Sequence, residues 1–355
     1  MKKIISSLWI FLAVPALACT TFFINRNGQL IFGRNYDWIA GQGMVNTNLR
    51  GLAKTSFRTE DGKSISWVSK YGSLTFNQYG KEFPTGGMNE KGLVVELMWL
   101  DGTQYPAADQ RASVNTLQWV QYQLDNHSTV AEVIQSDSKL RITSIDVPLH
   151  YLVADAGGDV ASIEFLNGKM VVHRGKDLPI AVLTNETYTS SWNAIKDLKT
   201  ATAISNARFD GNNSQARFAK ACSMVKQFQE EDLSVPVVDY SFKILNSVAQ
   251  GNYTKWSIVY DLAAKKIYFK TNQYPQIKSV EFSAFDWNCS ASPKAFDMNQ
   301  ALLPGSINKN FVPYTADFNR RIFEATALAS RSEVNIRKEE IEEGLAYAEK
   351  ISCKK

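Results

Sequence analysis

Histidine is scarce in this sequence. Only His127, His150 and His173 occur in 355 residues, and none has an acidic partner at a recognisable spacing. Catalysis by histidine is therefore not expected. Cysteine is nearly as rare: Cys19, Cys222, Cys289 and Cys353 include no C-x-x-C pair and no His/Cys spacing suited to zinc, so neither a metal nor another cofactor is implied. Cys222 falls in a helical pattern and reads as a small buried apolar residue. Cys289 and Cys353 are open to pairing in an oxidising compartment, but their spacing does not decide it. A large charge of one sign is missing too. The net +4 becomes +2 without Lys2 and Lys3 (39 − 2 = 37 basic against 35 acidic residues), far from the basic excess that nucleic-acid binding requires. No apolar run is long enough to span a bilayer: Ile4 to Val14 is too short, and nothing later resembles a membrane helix. Nor does any Pro/Gly/Ser linker divide the chain. With 45% hydrophobic and 12% aromatic residues, one large domain over 19–355 can bury its own core.

What the sequence does have is a processed start. Lys2 and Lys3, the apolar run Ile4 to Val14 and the small-residue site Ala16-Leu17-Ala18 read as an export signal over 1–18. Its removal leaves 355 − 18 = 337 residues, expected to be periplasmic or secreted and without stable membrane insertion. The new first residue is then Cys19. The strand Cys19 to Asn25, the Arg26-Asn27-Gly28 turn and the return strand Gln29 to Gly33 form a tight hairpin, which brings Arg34 and Asp37 back beside Cys19. A thiol has a reference pKa near 8.5 and an α-amine near 8, so one residue can supply nucleophile and base together. Arg34 would favour the thiolate, and Asp37 would orient the amine. Two other readings of Cys19 stand beside this one: a lipid-attachment site on a periplasmic binding or structural protein, and a buried residue inside an uncleaved chain. Against the lipid site, Ala16 stands where a leucine is usual, and a strand former rather than a polar tether follows the cysteine.

Further along, Ser64 to Val68 and Ser73 to Phe76 read as strands, and Gly86 to Gly92 leads into the apolar strand Leu93 to Trp99. Ser113 is expected to cap a helix over Val114 to Leu124, and Thr129 with Glu132 forms a capping box for the next. A β meander follows in 150–184, with turns at Gly157-Gly158-Asp159 and Asn167-Gly168. Helices are then expected over Gln215 to Phe228 and Pro236 to Val248, a hairpin over Lys255 to Asp261 and Lys266 to Thr271, and a solvated helix from Arg337 to Lys350. Alternation of strands and helix pairs suggests two antiparallel sheets packed face to face with helices outside.

Four motifs in order, Cys-Thr-Thr-Phe at 19–22, Gly-Arg-Asn-Tyr-Asp-Trp at 33–38, Gly-Met-Asn-Glu-Lys-Gly-Leu at 87–93 and Leu-Thr-Asn at 183–185, resemble the choloylglycine hydrolase family. These are N-terminal nucleophile hydrolases that include penicillin V acylases and bile salt hydrolases. The resemblance implies an α+β fold, the αββα four-layer sandwich, and an exported cysteine amidohydrolase acting through an acyl-enzyme. It makes Cys19 the nucleophile, flanked by Arg34 and Asp37, with Asn185 donating its amide to the oxyanion. Ser214-Gln215-Ala216-Arg217-Phe218 resembles the family's Ser-x-x-Arg-Phe helix start, making Arg217 a second active-site arginine.

Trp99 departs from the family pattern, standing where bile salt hydrolases have Asn and many penicillin V acylases Tyr. The second oxyanion donor would then be a backbone N–H or the indole N–H. Trp38 and Trp99 are expected at an acyl pocket suited to a small-molecule N-acyl amide, of the penicillin V or N-acyl homoserine lactone type ahead of conjugated bile salts. The interval from Asn185 to Arg217 is shorter than in Gram-positive members, resembling the branch that carries export signals. It leaves a homo-oligomer undecided.

Overall fold

The computed structural model describes residues 19–59, 61–143, 147–209, 213–231 and 233–354. The expected export signal, 1–18, lies outside the described residues. The first hairpin forms as the sequence dictates. Thr20–Arg26 pairs antiparallel with Gln29–Asp37, and the turn places Asn27 and Gly28 at φ 51° and 79°, the left-handed pair that a two-residue hairpin turn needs. This hairpin is central to a seven-stranded sheet, flanked by Val182–Leu183 on one side and Thr254–Asp261 on the other, with Lys266–Thr271, Lys278–Glu281 and Gly305–Ser306 continuing outward. Its last pair is parallel and the rest are antiparallel.

A nine-stranded antiparallel sheet lies against it, in the order Lys169–Arg174, Val160–Leu166, Leu149–Ala154, Val94–Trp99, Pro84–Asn89, Ser73–Asn77, Met44–Asn48, Lys294–Asp297, Val312–Pro313. Phe76 of this sheet meets Tyr260 and Phe269 of the first edge-on, at 6.1 and 5.7 Å. Helices Ser214–Glu230 and Val237–Ser247 cover the outer face of the seven-stranded sheet, and Thr116–Asn126 covers the nine-stranded one. The expected αββα sandwich is what forms.

Several local readings need correcting. Ser113 is not the helix cap; it sits in the strand Ala112–Val114, where its hydroxyl donates to Asp61, and Asn115 caps the helix instead. The capping box of Thr129 and Glu132 is present. At the end of the expected 150–184 meander the last strand is only Val182–Leu183. Lys338–Lys350 is not a solvated helix: Ile341, Gly344, Leu345, Tyr347 and Ala348 are buried, because a helix absent from the sequence reading, Ala316–Ala329, packs against it. Cys222 is fully buried, and Cys289 and Cys353 form a disulfide.

Candidate active site

Cys19 begins the central hairpin with its side chain buried, and its Sγ lies 3.9 Å from the carbonyl of Asp37. The hairpin register sets Thr20 against Asn35 and Thr21 against Arg34, so the return strand does bring Arg34 and Asp37 to the cysteine. Burial pushes the Cys19 thiol up, while the Arg34 guanidinium pulls it down.

Arg34 is itself fully buried. It donates to the carbonyls of Thr85 and Leu97 at 3.1 and 3.0 Å and is ion-paired with Glu96, which also accepts from Tyr260. Burial raises the Glu96 carboxyl, and Arg34 and Tyr260 oppose the rise. Glu96 was missed in the sequence because it stands inside the apolar run Val94–Trp99. The available signal was Gly86, its register partner on the neighbouring strand. A Cβ on Gly86 would overlap the Glu96 carboxylate, so glycine there makes room for the buried acid.

Asp37 is 1% exposed, and neither carboxylate oxygen has a hydrogen-bond partner among the described residues. Burial pushes its carboxyl up to about 7, opposed by the neighbouring Thr254 hydroxyl, which does not reach hydrogen-bond geometry, and by the Arg217 and Arg34 charges. The Cys19 nitrogen is here a peptide amide, joined to Ala18. In that form, an acid raised in the folded state stabilises it below the ordinary carboxyl pKa and loses this contribution as pH rises through the folded value. The stability advantage of the unprocessed chain over Asp37→Asn should thus decline between about pH 4 and pH 7. Unfolding midpoints of both forms across that range check it, and a flat difference would refute it.

Asn185 and Arg217 meet at the same cysteine. Arg217 donates to the Cys19 carbonyl at 2.6 Å, to Thr20 Oγ1 at 2.9 Å and to Asn185 Oδ1 at 2.9 Å. Asn185 Nδ2 donates to the Trp99 carbonyl at 2.8 Å, which leaves its second N–H available, since a carboxamide carries two donors. The Ser-x-x-Arg spacing has a physical basis. Ser214 Oγ accepts from the Asn185 backbone N–H at 2.9 Å, and one helical turn later Arg217 grips the Asn185 side chain. Ser214 was quoted in the sequence reading without a role.

A cavity of about 260 Å³ opens on Cys19. Trp38 and Trp99 both line it, 6.2 Å apart. Trp38 Nε1 donates to Tyr79 Oη at 2.7 Å, and the Trp99 indole N–H donates to Asp101. The walls are mostly apolar: Leu97, Leu149, Phe57, Phe83 and Phe323 are among them.

The histidines correct the sequence reading. His150 and His173 do have an acidic neighbour, Glu164, at 3.3 and 3.6 Å, reached across strands rather than along the chain. His150 Nε2 lies 2.7 Å from the Thr184 carbonyl. No group of three or more His, Cys, Asp or Glu among the described residues is placed to hold a metal ion, and no described helix is long and apolar enough to cross a membrane.

Comparison with known proteins identifies the family. A family model described as linear amide C–N hydrolases, choloylglycine hydrolase family, matches residues 19–294. A curated penicillin V acylase of Pectobacterium atrosepticum is 30% identical over 258 residues, 64% of this chain and 65% of that protein, so the match spans just under two thirds of the relative. A solved penicillin V acylase from Agrobacterium tumefaciens is similar in fold, with TM-score 0.71, 24% identity, and 84% of this chain and 98% of that one covered. A mutant conjugated bile acid hydrolase from Clostridium perfringens gives TM-score 0.66 at 17% identity, covering 81% and 98%.

Proposed function

Because the chain belongs to the choloylglycine hydrolase family of linear amide C–N hydrolases, we propose that it is an exported cysteine amidohydrolase whose single domain, 19–355, is released by removal of 1–18. Cys19 Sγ attacks the amide carbonyl of an N-acyl substrate, and its α-amine carries the thiol proton to the leaving amine. Asn185 Nδ2 holds the oxyanion, and water then releases the acyl group. Arg34 and Arg217 set the charge around the sulfur. The observation that carries this reading is the buried, unpartnered Asp37 carboxylate beside Cys19. Burying such a group without a partner is costly, and an α-ammonium liberated at Cys19 would satisfy it.

The cavity supports a compact apolar acyl group. Trp38, Trp99 and the rings of Phe57, Phe83 and Phe323 around it suit a phenoxyacetyl or medium-length fatty acyl group, since ligand pockets of this kind are predominantly apolar. Penicillin V or an N-acyl homoserine lactone therefore ranks above conjugated bile salts. The rival lipid anchor is disfavoured because the buried Cys19 leads directly into a strand paired on both sides.

Intact mass of the exported protein tests the start: 337 residues with an unmodified cysteine are expected, and a diacylglycerol adduct would support the rival. Side-by-side hydrolysis of penicillin V, an acyl homoserine lactone and glycocholate tests the ranking, which fails if glycocholate is cleaved fastest. Asn185→Ala should lower kcat by about 10²- to 10³-fold with little change in KM, since its amide acts on charge that develops only in the transition state.

A further inference from the structure

The family match ends at residue 294, yet Phe323, Val334, Ile336, Glu340 and Gly344 line the cavity that opens on Cys19. These residues belong to Ala316–Ala329, Lys338–Lys350 and the segment between them. We propose that this C-terminal helix pair is the end wall of the acyl pocket and sets the length of the acyl chain accepted, Phe323 and Gly344 being the residues that decide it. The proposal rests on the amidohydrolase reading above.

Contacts trace the distance from nucleophile to wall. Trp38 follows Asp37, whose carbonyl faces Cys19 Sγ. Its indole donates to Tyr79 Oη, and the Tyr79 ring meets Phe323 edge-on at 6.4 Å. Phe323 is thus separated from the sulfur by two aromatic side chains, where the far end of an acyl group would lie. The wall is held firmly. Tyr347 packs on Phe57 and Phe83 at 5.2 and 5.7 Å, donates to the Thr55 carbonyl at 2.7 Å and accepts from Gln118 at 2.7 Å. Arg58 is paired with Glu340 and Glu343, and the Cys289–Cys353 disulfide ties down the strand that follows the second helix.

Gly344 sits where a side chain would intrude. A Cβ there would come 3.1 Å from Phe323 Cε1, closer than ordinary contact, and 3.7 Å from Phe83 Cε2, so even alanine adds bulk against Phe323 and requires that ring to give by a few tenths of an ångström. Removing the Phe323 ring does the opposite. An added or missing methylene in an apolar pocket is worth about tenfold or more in kcat/KM, so small displacements of the wall are readable.

The test uses the processed full-length enzyme and a graded series of straight-chain N-acyl homoserine lactones, butanoyl to dodecanoyl. Phe323→Ala should raise the ratio of kcat/KM for the longest acyl group to that for the shortest by about tenfold, and Gly344→Ala should lower it by a similar factor. Phe323→Leu, the milder change, should move the ratio in the same direction as Phe323→Ala and covers the case in which the alanine variant does not fold. Equal losses at every length would overturn the wall assignment while leaving the amidohydrolase reading intact. Wild-type enzyme that cleaves no member of the series, nor penicillin V, would overturn both.

Discussion

Cys19→Ala should lose amide hydrolysis by about four orders of magnitude or more, because in the proposed mechanism it removes the atom that forms the acyl-enzyme. The buried thiol lines the cavity, with Arg34 favouring its ionised form and Arg217 fixing its carbonyl. The substitution removes one small buried atom and should leave the unfolding midpoint nearly unchanged. A companion variant separates the sulfur from the nitrogen. With one extra residue retained ahead of Cys19, the thiol is present but its nitrogen is an amide with no basic lone pair, and activity should fall almost as far. Turnover of penicillin V by both proteins, measured beside wild type, is the check. Full activity in Cys19→Ser, or in the extended form, would end the proposal.

The largest stability effect is expected at Glu96. Glu96→Gln keeps the shape of the side chain but leaves the Arg34 charge buried without its partner, which should lower the unfolding free energy by about 3–5 kcal/mol. Both side chains are wholly shielded from solvent, so water cannot take over the neutralisation. Denaturant unfolding of the variant measures the loss. A near-zero change would mean that burial already keeps Glu96 protonated and that Arg34 is held by the Thr85 and Leu97 carbonyls instead.

Much of the fold was legible because its signals are local. The Asn27-Gly28 turn, the Thr129 capping box, the Asn167-Gly168 turn and the helix spanning Arg217 each depend on residues a few positions apart, and each forms as read. What the sequence hid depends on partners far along the chain. Glu96 reads as one polar residue in an apolar strand until Arg34 arrives across the inter-sheet space. Glu164 gathers His150 and His173 only through strand pairing. The helix Lys338–Lys350 carries enough charge to pass for a solvated surface, and its buried stripe emerges only once Ala316–Ala329 is set beside it.

Of the candidate site residues, all seven lie around one cavity or its rim: Cys19, Asp37, Trp38 and Trp99 line it, Asn185 and Arg217 bond to its walls, and Arg34 stands behind it. The ion pair behind Arg34 and the wall beyond residue 294 were not foreseen, since neither carries a short motif.

The covalent link from Cys289 to Cys353 has a consequence for biosynthesis. In the proposed reading the reactive sulfur is contributed by residue 19 and part of the pocket lining by residues beyond 315, so a nascent polypeptide still emerging from the ribosome cannot yet complete the cavity. Selectivity towards substrates would accordingly mature last, after the helices from Ala316 to Lys350 have docked and the Cys289–Cys353 link has been oxidised.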